Sequence, residues 1–443
     1  MSPASFLRRL LGRSSAAAQS TQHLVSLCGA LLGGRGEVSG AALARQALAA
    51  YLALDERGRE EFFDALAQEF APSPEAVGKA ADAYRYDPTP QNLIQLQEVI
   101  DTARQELFRR LNMAPGGTQA LVEMRRQLLR GLKKHPAWKA IDADLLHLFR
   151  SWFNRGFLRL ERIDWRTSAI VLEKLIQYEA VHAVQGWQDL RRRLAADRRC
   201  FGFFHPQLPE EPLIFIEVAL TRGMSSQVQP LLDVDSQVAV PEQADCAIFY
   251  SITNCQEGLR GTSFGNLLIK QVAEDLKREF PHLDTFATLS PIPGFRRWLA
   301  QAETRVQLSM GPNAEQRLAL LATIERPGWH AGAVPEGLQK LLMRLCAWYL
   351  LHAKQGVEPL DPVSRFHLGN GAALERLNWL GDTSESGMAR AAGLMVNYSY
   401  RLGDVERNHE RFFSEHAVVA SRSIEKLARK SPLAMPAEKR AEA

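Results

Sequence analysis

The stretch Cys246-Ala-Ile-Phe-Tyr-Ser-Ile-Thr-Asn-Cys-Gln-Glu-Gly-Leu-Arg-Gly-Thr-Ser-Phe-Gly-Asn-Leu-Leu-Ile-Lys270 and its continuation Asp284-Thr-Phe-Ala-Thr-Leu-Ser-Pro-Ile-Pro-Gly-Phe295 decide the fold. The first part begins as an apolar, β-branched and aromatic run, which reads as a buried strand. A loop with glycines follows, and then a helix with Leu268, Val272 and Leu276 at four-residue spacing and Lys270, Glu274, Asp275, Lys277 and Arg278 outward. A second strand ends at Ser290, on a turn stiffened by Pro291 and Pro293. A strand that feeds a glycine loop and a helix N-terminus is a favourable place to hold phosphate.

Around this stretch the pattern divides the chain in two. From Glu37 to about Arg155 apolar residues recur at three- and four-residue spacing, as in Leu43, Leu48, Tyr51 and Leu52. Ser73-Pro74-Glu75 and Thr89-Pro90 read as helix starts, and Pro115-Gly116-Gly117-Thr118 punctuates another. Leu121, Met124, Leu128 and Leu132 form an apolar stripe facing Arg125, Arg126 and Arg130, the mark of helix–helix packing. Past Arg159 the texture changes: Ala169 to Glu179 is helical, Leu213–Leu220 and Ala247–Ile252 are strands, Glu315 to Lys354 is a helical hairpin, and Phe366 to Arg401 is rich in strands. The expected class is α+β: a flexible start over 1–36, an all-α bundle over 37–158 for support or oligomerisation, an α/β catalytic domain over 159–428 and a disordered tail over 429–443.

Composition narrows the function classes. Over 443 residues, 46% hydrophobic and 23% charged content allow a sizeable core, and the length favours two domains. A net charge of +4 does not point to nucleic acid and does not oppose a small anionic ligand. The five cysteines are scattered and form no C-x-x-C pair, which argues for a reducing compartment without structural disulfides or zinc. No run approaches the roughly 18 apolar residues of a membrane span. Before Glu37 there is no acidic residue but Arg8, Arg9, Arg13 and several serines, a transit-peptide-like composition that a frayed cytosolic start shares; the expectation is cytoplasmic.

Few residues carry chemistry. Arg260-Gly261-Thr262-Ser263-Phe264-Gly265-Asn266 lets backbone N–H groups approach an anion, with Arg260 available for a charge-assisted contact. Taken alone, the loop is equally an ordinary left-handed turn, and it matches neither the Walker A nor the G-x-G-x-x-G pattern. Ser290 lacks a G-x-S-x-G elbow, so an α/β-hydrolase nucleophile is disfavoured, while a turn cap is compatible with Ser-Pro. His367 stands before a Gly-Asn-Gly turn, at the end of an element where a side chain can face a cleft, and no H-x-x-x-H or carboxylate cluster accompanies it as a metal site.

Several separated blocks, in order, resemble the malonyl-CoA decarboxylase family: Ile248–Ile252, Gly258-Leu-Arg-Gly261 with Gly265, Lys277–Leu283, Leu289-Ser-Pro-Ile-Pro-Gly-Phe295, Leu345–Tyr349, Phe366–Ala372 and Gly393–Tyr400. They span most of Ile163 to Tyr400; the helical first half is similar only in general character. The resemblance implies an N-terminal helical domain and a catalytic domain of the acetyltransferase-like (GNAT) fold. It implies Ser290 and His367 as the catalytic pair, Arg260–Asn266 as the CoA loop, and Ser251 and Tyr400 in or near the site. One departure is Ser263, where some members carry a carboxylate.

The residue types suit that chemistry. Losing CO2 from a malonyl thioester leaves an enolate, whose charge must be stabilised and whose α-carbon must receive a proton, a task fitted to imidazole. His367 is expected to donate the proton, and Ser290 to orient the carboxylate or relay a proton. No metal or organic cofactor is expected, because the thioester is the electron sink. The expected partners are malonyl-CoA and acetyl-CoA, with a homo-oligomer through the helical half. Two other readings remain open: a CoA-dependent acyltransferase on the same fold, and a non-catalytic acyl-CoA-binding scaffold. The Ser-Pro-Ile-Pro-Gly-Phe and Phe-His-Leu blocks, which an ordinary N-acetyltransferase does not need, discriminate against both.

Overall fold

The computed structural model describes residues 19–33, 37–101, 103–262, 264, 268–310 and 312–434. The chain forms two compact units. One comprises Met1–Arg159 with Phe204–Leu213 and Gln256–Phe264; the other comprises Leu160–Phe203, Ile214–Cys255 and Gly265–Ala443. The two-part division is legible in sequence, but the contiguous boundary is not: two short segments from the second half group with the helices.

The first unit is helical, as its periodicity requires. Its helices include Glu37–Ala53, Glu56–Gln68, Pro74–Tyr86, Pro90–Ile100, Ala103–Asn112, Gly117–Gly131 and Lys139–Trp152. Ser73 and Thr89 cap their helices by accepting from the N–H groups of Ala76 and Asn92, with proline in each first turn. Tyr51, Phe62, Phe63, Leu121, Trp138 and Phe149 build the core. Of the stretch expected to be flexible, residues 19–32 are instead helical and bury Leu24, Cys28 and Leu31; residues 1–18 and 34–36 lie outside the described ones. The apolar stripe is buried at Leu121, Met124 and Leu128, yet Arg125, expected to face outward, is 2% exposed. It pairs with Asp142 at 2.8 Å and donates to the carbonyls of Gly258 and Arg260 at 2.7 and 2.8 Å, so its charge is used within the unit.

The second unit is a mixed α/β structure. Strands β1 (Arg159–Ile163), β2 (Arg198–Phe204), β3 (Ile214–Thr221), β4 (Cys246–Asn254), β5 (Thr285–Thr288), β6 (Ser290–Pro291), β9 (Ala373–Asn378) and β10 (Met395–Ser399) make one sheet. Its order is β1-β2-β3-β4-β5-β10-β6, with β9 also on β10. Two further strands, β7 (Lys354–Gln355) and β8 (Glu358–Pro359), form a separate hairpin. β2, β3 and β4 run antiparallel, and β4 with β5 is the parallel step that the helix Leu268–Glu279 makes possible. This helix buries Leu268, Val272 and Leu276, the three residues its spacing singled out. No helix among the described residues is long and apolar enough to cross a membrane.

Two irregularities position the site. Register between β3 and β4 slips at Tyr250, which is an extra residue: Glu217 faces Ser251 while Val218 faces Phe249. The β4–β5 pairing ends at Phe249–Thr288, whereas β4 continues to Asn254. Beyond Thr288 the chain follows β10 instead, with Ser290 opposite Val396 and Pro291 opposite Met395. β4 and the chain after β5 therefore part at the serine. Of the tail expected to be disordered, Ser431 is buried and residues 435–443 lie outside the described ones.

Candidate active site

Ser290 is placed by strand geometry. Thr288 and Ser290 are two residues apart and share one face, and both are buried, at 0% and 4% exposure. Thr288 is held on three sides: its Oγ1 accepts the Tyr398 N–H at 3.1 Å and the Ser290 hydroxyl at 2.9 Å, and its carbonyl accepts the Asn397 amide at 2.6 Å. The serine hydroxyl thus projects from a fixed strand end.

His367 is in the last turn of the helix Pro362–Gly369, not in a strand as the run after Phe366 first reads. Asp361 caps this helix, with Pro362 in its first turn, and Gly371 at φ +82° lets the chain turn away. A Cβ on Gly371 would lie 2.1 Å from the Val405 carbonyl oxygen, so only glycine fits that approach. The imidazole stacks on Tyr398 with centroids 4.5 Å apart.

These two side chains, 77 residues apart in sequence, meet: His367 Nε2 lies 3.0 Å from Ser290 Oγ. The opposite nitrogen, Nδ1, lies 2.8 Å from the Tyr400 hydroxyl. Because Ser290 gives its hydrogen to Thr288, its Oγ accepts from Nε2–H, and Nδ1 accepts the Tyr400 O–H. The result is a directed chain of neutral donors, Tyr400 to His367 to Ser290 to Thr288. Burial, at 3% exposure, pushes the His367 pKa down to about 3, so the ring is neutral. The same burial holds the Tyr398 and Tyr400 phenols far above their ordinary range.

The pair opens on a cavity of about 240 Å³ where β4 and the chain after β5 part. Its walls are mostly apolar, including Val181, Phe249, Ile252, Leu289, Val363 and Phe366. Besides Ser290 and His367, Asn254 and Tyr250 are its polar residues, and among the described residues no Lys or Arg lines it. The cavity is lined by the Ser290 hydroxyl and the His367 imidazole against mostly apolar walls, with no Lys or Arg among the described lining residues.

The other residues singled out in sequence fall elsewhere. Ser251 is not at the pair: it donates to the Glu179 carboxylate at 2.7 Å, and the same carboxylate accepts the N–H groups of Val181 and His182. That carboxylate anchors the loop whose Val181 lines the cavity. Arg260, Gly261, Thr262 and Phe264 belong to the segment grouped with the helical unit; Ser263, Gly265 and Asn266 lie outside the described residues. There Arg125 grips the Gly258 and Arg260 carbonyls, Gly261 takes φ +81°, and a Cβ on Gly258 would lie 2.0 Å from the Val122 carbonyl oxygen. Sequence reasoning missed Thr288, Tyr398, Asp361 and Arg125. Two-residue spacing from Ser290 and Tyr400 marks the first two, and Asp-Pro before a helical run marks the third.

Comparison with known proteins adds the following. The family model for the malonyl-CoA decarboxylase C-terminal domain matches residues 156–441, and that for the N-terminal domain matches residues 70–153. A mitochondrial malonyl-CoA decarboxylase of Anser anser anser is 37% identical over 372 residues, covering 79% of this chain and 71% of that protein. The corresponding protein of Rattus norvegicus is 36% identical over 344 residues, covering 72% and 69%. Among crystal structures, malonyl-CoA decarboxylase from Rhodopseudomonas palustris superposes with a TM-score of 0.86 at 48% identity, covering 92% of this chain and 99% of that one. The enzyme from Agrobacterium vitis gives 0.84 at 46% identity, with the same coverage, 92% and 99%.

Proposed function

The chain belongs to the malonyl-CoA decarboxylase family, and from that premise we propose how its own residues release CO2 from malonyl-CoA and leave acetyl-CoA. It is a carboxy-lyase; the assignment of roles to residues is our reading. The observation that carries it is the 3.0 Å contact of Ser290 Oγ with His367 Nε2, opening on a mostly apolar cavity with no Lys or Arg among its described lining residues.

Ser290 orients the malonyl carboxylate by turning its hydroxyl hydrogen from Thr288 to the incoming oxygen, while its Oγ still accepts from His367 Nε2–H. Cleavage of the bond between the α-carbon and the carboxylate sends its electron pair into the thioester, and the departing group becomes neutral CO2. A cation facing the carboxylate would stabilise the ground state more than the transition state and would slow this step, so walls without Lys or Arg among the described residues favour turnover. The enolate left behind is far more basic than imidazole. It can therefore take the Nε2 proton from a neutral His367, and Tyr400, donating to Nδ1, offsets the negative charge that builds on the ring. Solvent restores that proton after the product leaves.

The loop from Arg260 to Asn266 holds the CoA phosphates. In support, Gly261 adopts a conformation that L side chains rarely take, and Arg125 holds the Arg260 carbonyl at the start of the loop. The test is direct. Purified protein is incubated with malonyl-CoA alone, and CO2 and acetyl-CoA are followed by mass spectrometry for the native chain, Ser290→Ala and His367→Asn. The expected result is that both variants lose turnover by about 10²-fold or more while CoA affinity changes little. Equal losses in turnover and affinity for His367→Asn would assign it to binding instead.

A further inference from the structure

We infer that Asp361 is a positioning residue for this reaction, the one carboxylate that locks the turn following Ser290 to the helix bearing His367. The inference rests on the roles proposed above for those two residues. Asp361 is 1% exposed and divides its two oxygens between two chain segments. Oδ1 accepts the N–H groups of Val363 and Ser364, both at 3.0 Å, which starts the helix that carries His367 in its last turn. Oδ2 accepts the Gly294 N–H and the Tyr349 hydroxyl, each at 3.4 Å. Gly294 ends the Ser290-Pro-Ile-Pro-Gly turn, four residues beyond the catalytic hydroxyl.

Capping alone does not call for this residue. Serine, threonine or asparagine caps a helix as well as aspartate, and with one oxygen. A carboxylate buried here without a paired Lys or Arg among the described residues is costly, and burial raises its pKa. The second oxygen is what distinguishes aspartate from those alternatives, and it is spent on the serine turn. The approach is tight on the other side too. A Cβ on Gly294 would sit 2.2 Å from Tyr349 Oη and 3.5 Å from Asp361 Oδ2, so the turn reaches the carboxylate only through glycine. Pro362 and Val363, the residues that follow Asp361, line the cavity, so the same anchor sets one wall of the site. A shift of about 1 Å between the two segments would open the Ser290–His367 contact, and displacements of that size cost on the order of 10²-fold in rate.

The experiment separates positioning from capping. Asp361→Ser keeps a one-oxygen cap and removes the link to Gly294 and Tyr349; Asp361→Asn keeps the shape and replaces one acceptor with a donor. For each, kcat and KM for malonyl-CoA are measured separately, with the thermal midpoint and acetyl-CoA affinity. The expected outcome is that kcat falls by about 10- to 100-fold while KM and acetyl-CoA affinity stay within about threefold. If Asp361→Ser does not fold, the same split in Asp361→Asn decides. Wild-type kcat in either folded variant overturns the proposal, because the cap alone would then suffice. Should Ser290→Ala and His367→Asn both keep full turnover, the reading of the pair falls first and takes this proposal with it. If those two are inactive while the Asp361 variants turn over normally, only the positioning role is lost.

Discussion

Tyr400→Phe isolates the orienting of the imidazole from its presence. In the native site the Tyr400 hydroxyl lies 2.8 Å from His367 Nδ1, and both side chains are buried. The substitution deletes one oxygen, while the stacking of His367 on Tyr398 stays in place, so the ring keeps its position. What is lost is a hydrogen bond to a buried acceptor, worth about 1–3 kcal/mol when the partner is left unsatisfied. Without the phenol no donor at Nδ1 fixes the tautomer, and a ring carrying its hydrogen on Nδ1 presents no N–H to Ser290. Charged entirely to the barrier, 1–3 kcal/mol corresponds to a fall in kcat of roughly 5- to 150-fold. KM should hold, because Tyr400 does not line the acyl cavity. The assay is steady-state formation of acetyl-CoA from malonyl-CoA, paired with 15N NMR of labelled histidine to read which ring nitrogen carries the hydrogen. A variant with kcat within twofold of native, and with Nε2 still protonated, would refute both the direction assigned to the donor chain and the role given to Tyr400.

Four further outcomes follow from the same geometry. His367 has a folded-state pKa of about 3 against an ordinary 6.5, so between those values the unfolded chain binds a proton that the folded chain refuses. Its stabilising contribution is complete above pH 6.5 and is lost as pH falls towards 3; unfolding midpoints of His367→Asn should therefore depend less steeply on pH in that window than native, and native kcat should show no histidine ionisation from pH 6 to 8. Gly294→Ala should cut kcat by more than tenfold, since its Cβ meets Tyr349 Oη at 2.2 Å; Tyr349→Phe added to it should restore part of the rate, and no recovery would sever the turn from turnover. Gly258→Ala, colliding with the Val122 carbonyl at 2.0 Å, should raise KM for malonyl-CoA by several-fold and spare kcat, if the adjoining loop holds CoA. Val363→Lys, which sets a cation on the cavity wall, should lower KM and kcat together; a rise in kcat would contradict the account of the cation-free walls.

The strand–loop–helix–strand succession was legible because each step has a strong local cause. Four-residue spacing in Leu268, Val272 and Leu276 makes a helix, and β-branched and aromatic residues in Ala247–Ile252 make a strand. The helical half was legible for the same reason, down to the Ser73 and Thr89 caps. What escaped depends on contacts that have no local signature. Arg125 occupies the polar side of a helix by spacing, yet it is buried because the Gly258 and Arg260 carbonyls and Asp142 satisfy its donors. His367 sits before a Gly-Asn-Gly turn that reads as a strand connection, but Asp361-Pro362 starts a helix only eight residues long there. Ser251 shows the limit of alternation. One extra residue at Tyr250 shifts the facing of the strand, and Ser251 meets Glu179 on a carboxylate that no spacing rule links to it.

The arrangement has a common physical logic. On the roles proposed above, the described groups at the reacting centre are neutral at physiological pH: a hydroxyl, an imidazole held down near pKa 3 and two phenols held above their normal range. A site built to hold a malonyl carboxylate tightly would place a lysine or arginine against it, and would then have to break that pair as the charge departs. Among the described residues no charged side chain lines the cavity, so on the roles proposed above the carboxylate's charge meets only neutral groups as it leaves in the step that forms CO2. Fixed neutral dipoles stabilise the charge wherever it moves, without favouring its starting point. Their precision must then come from the scaffold: Thr288 held by Tyr398 and Asn397, the imidazole clamped between Tyr398, Tyr400 and Ser290, and Asp361 joining the two segments. The one uncompensated carboxylate of this network faces backbone N–H groups and a phenol, and neither of its oxygens turns to the cavity. Negative charge is kept for structure, away from the place where the substrate must lose its own.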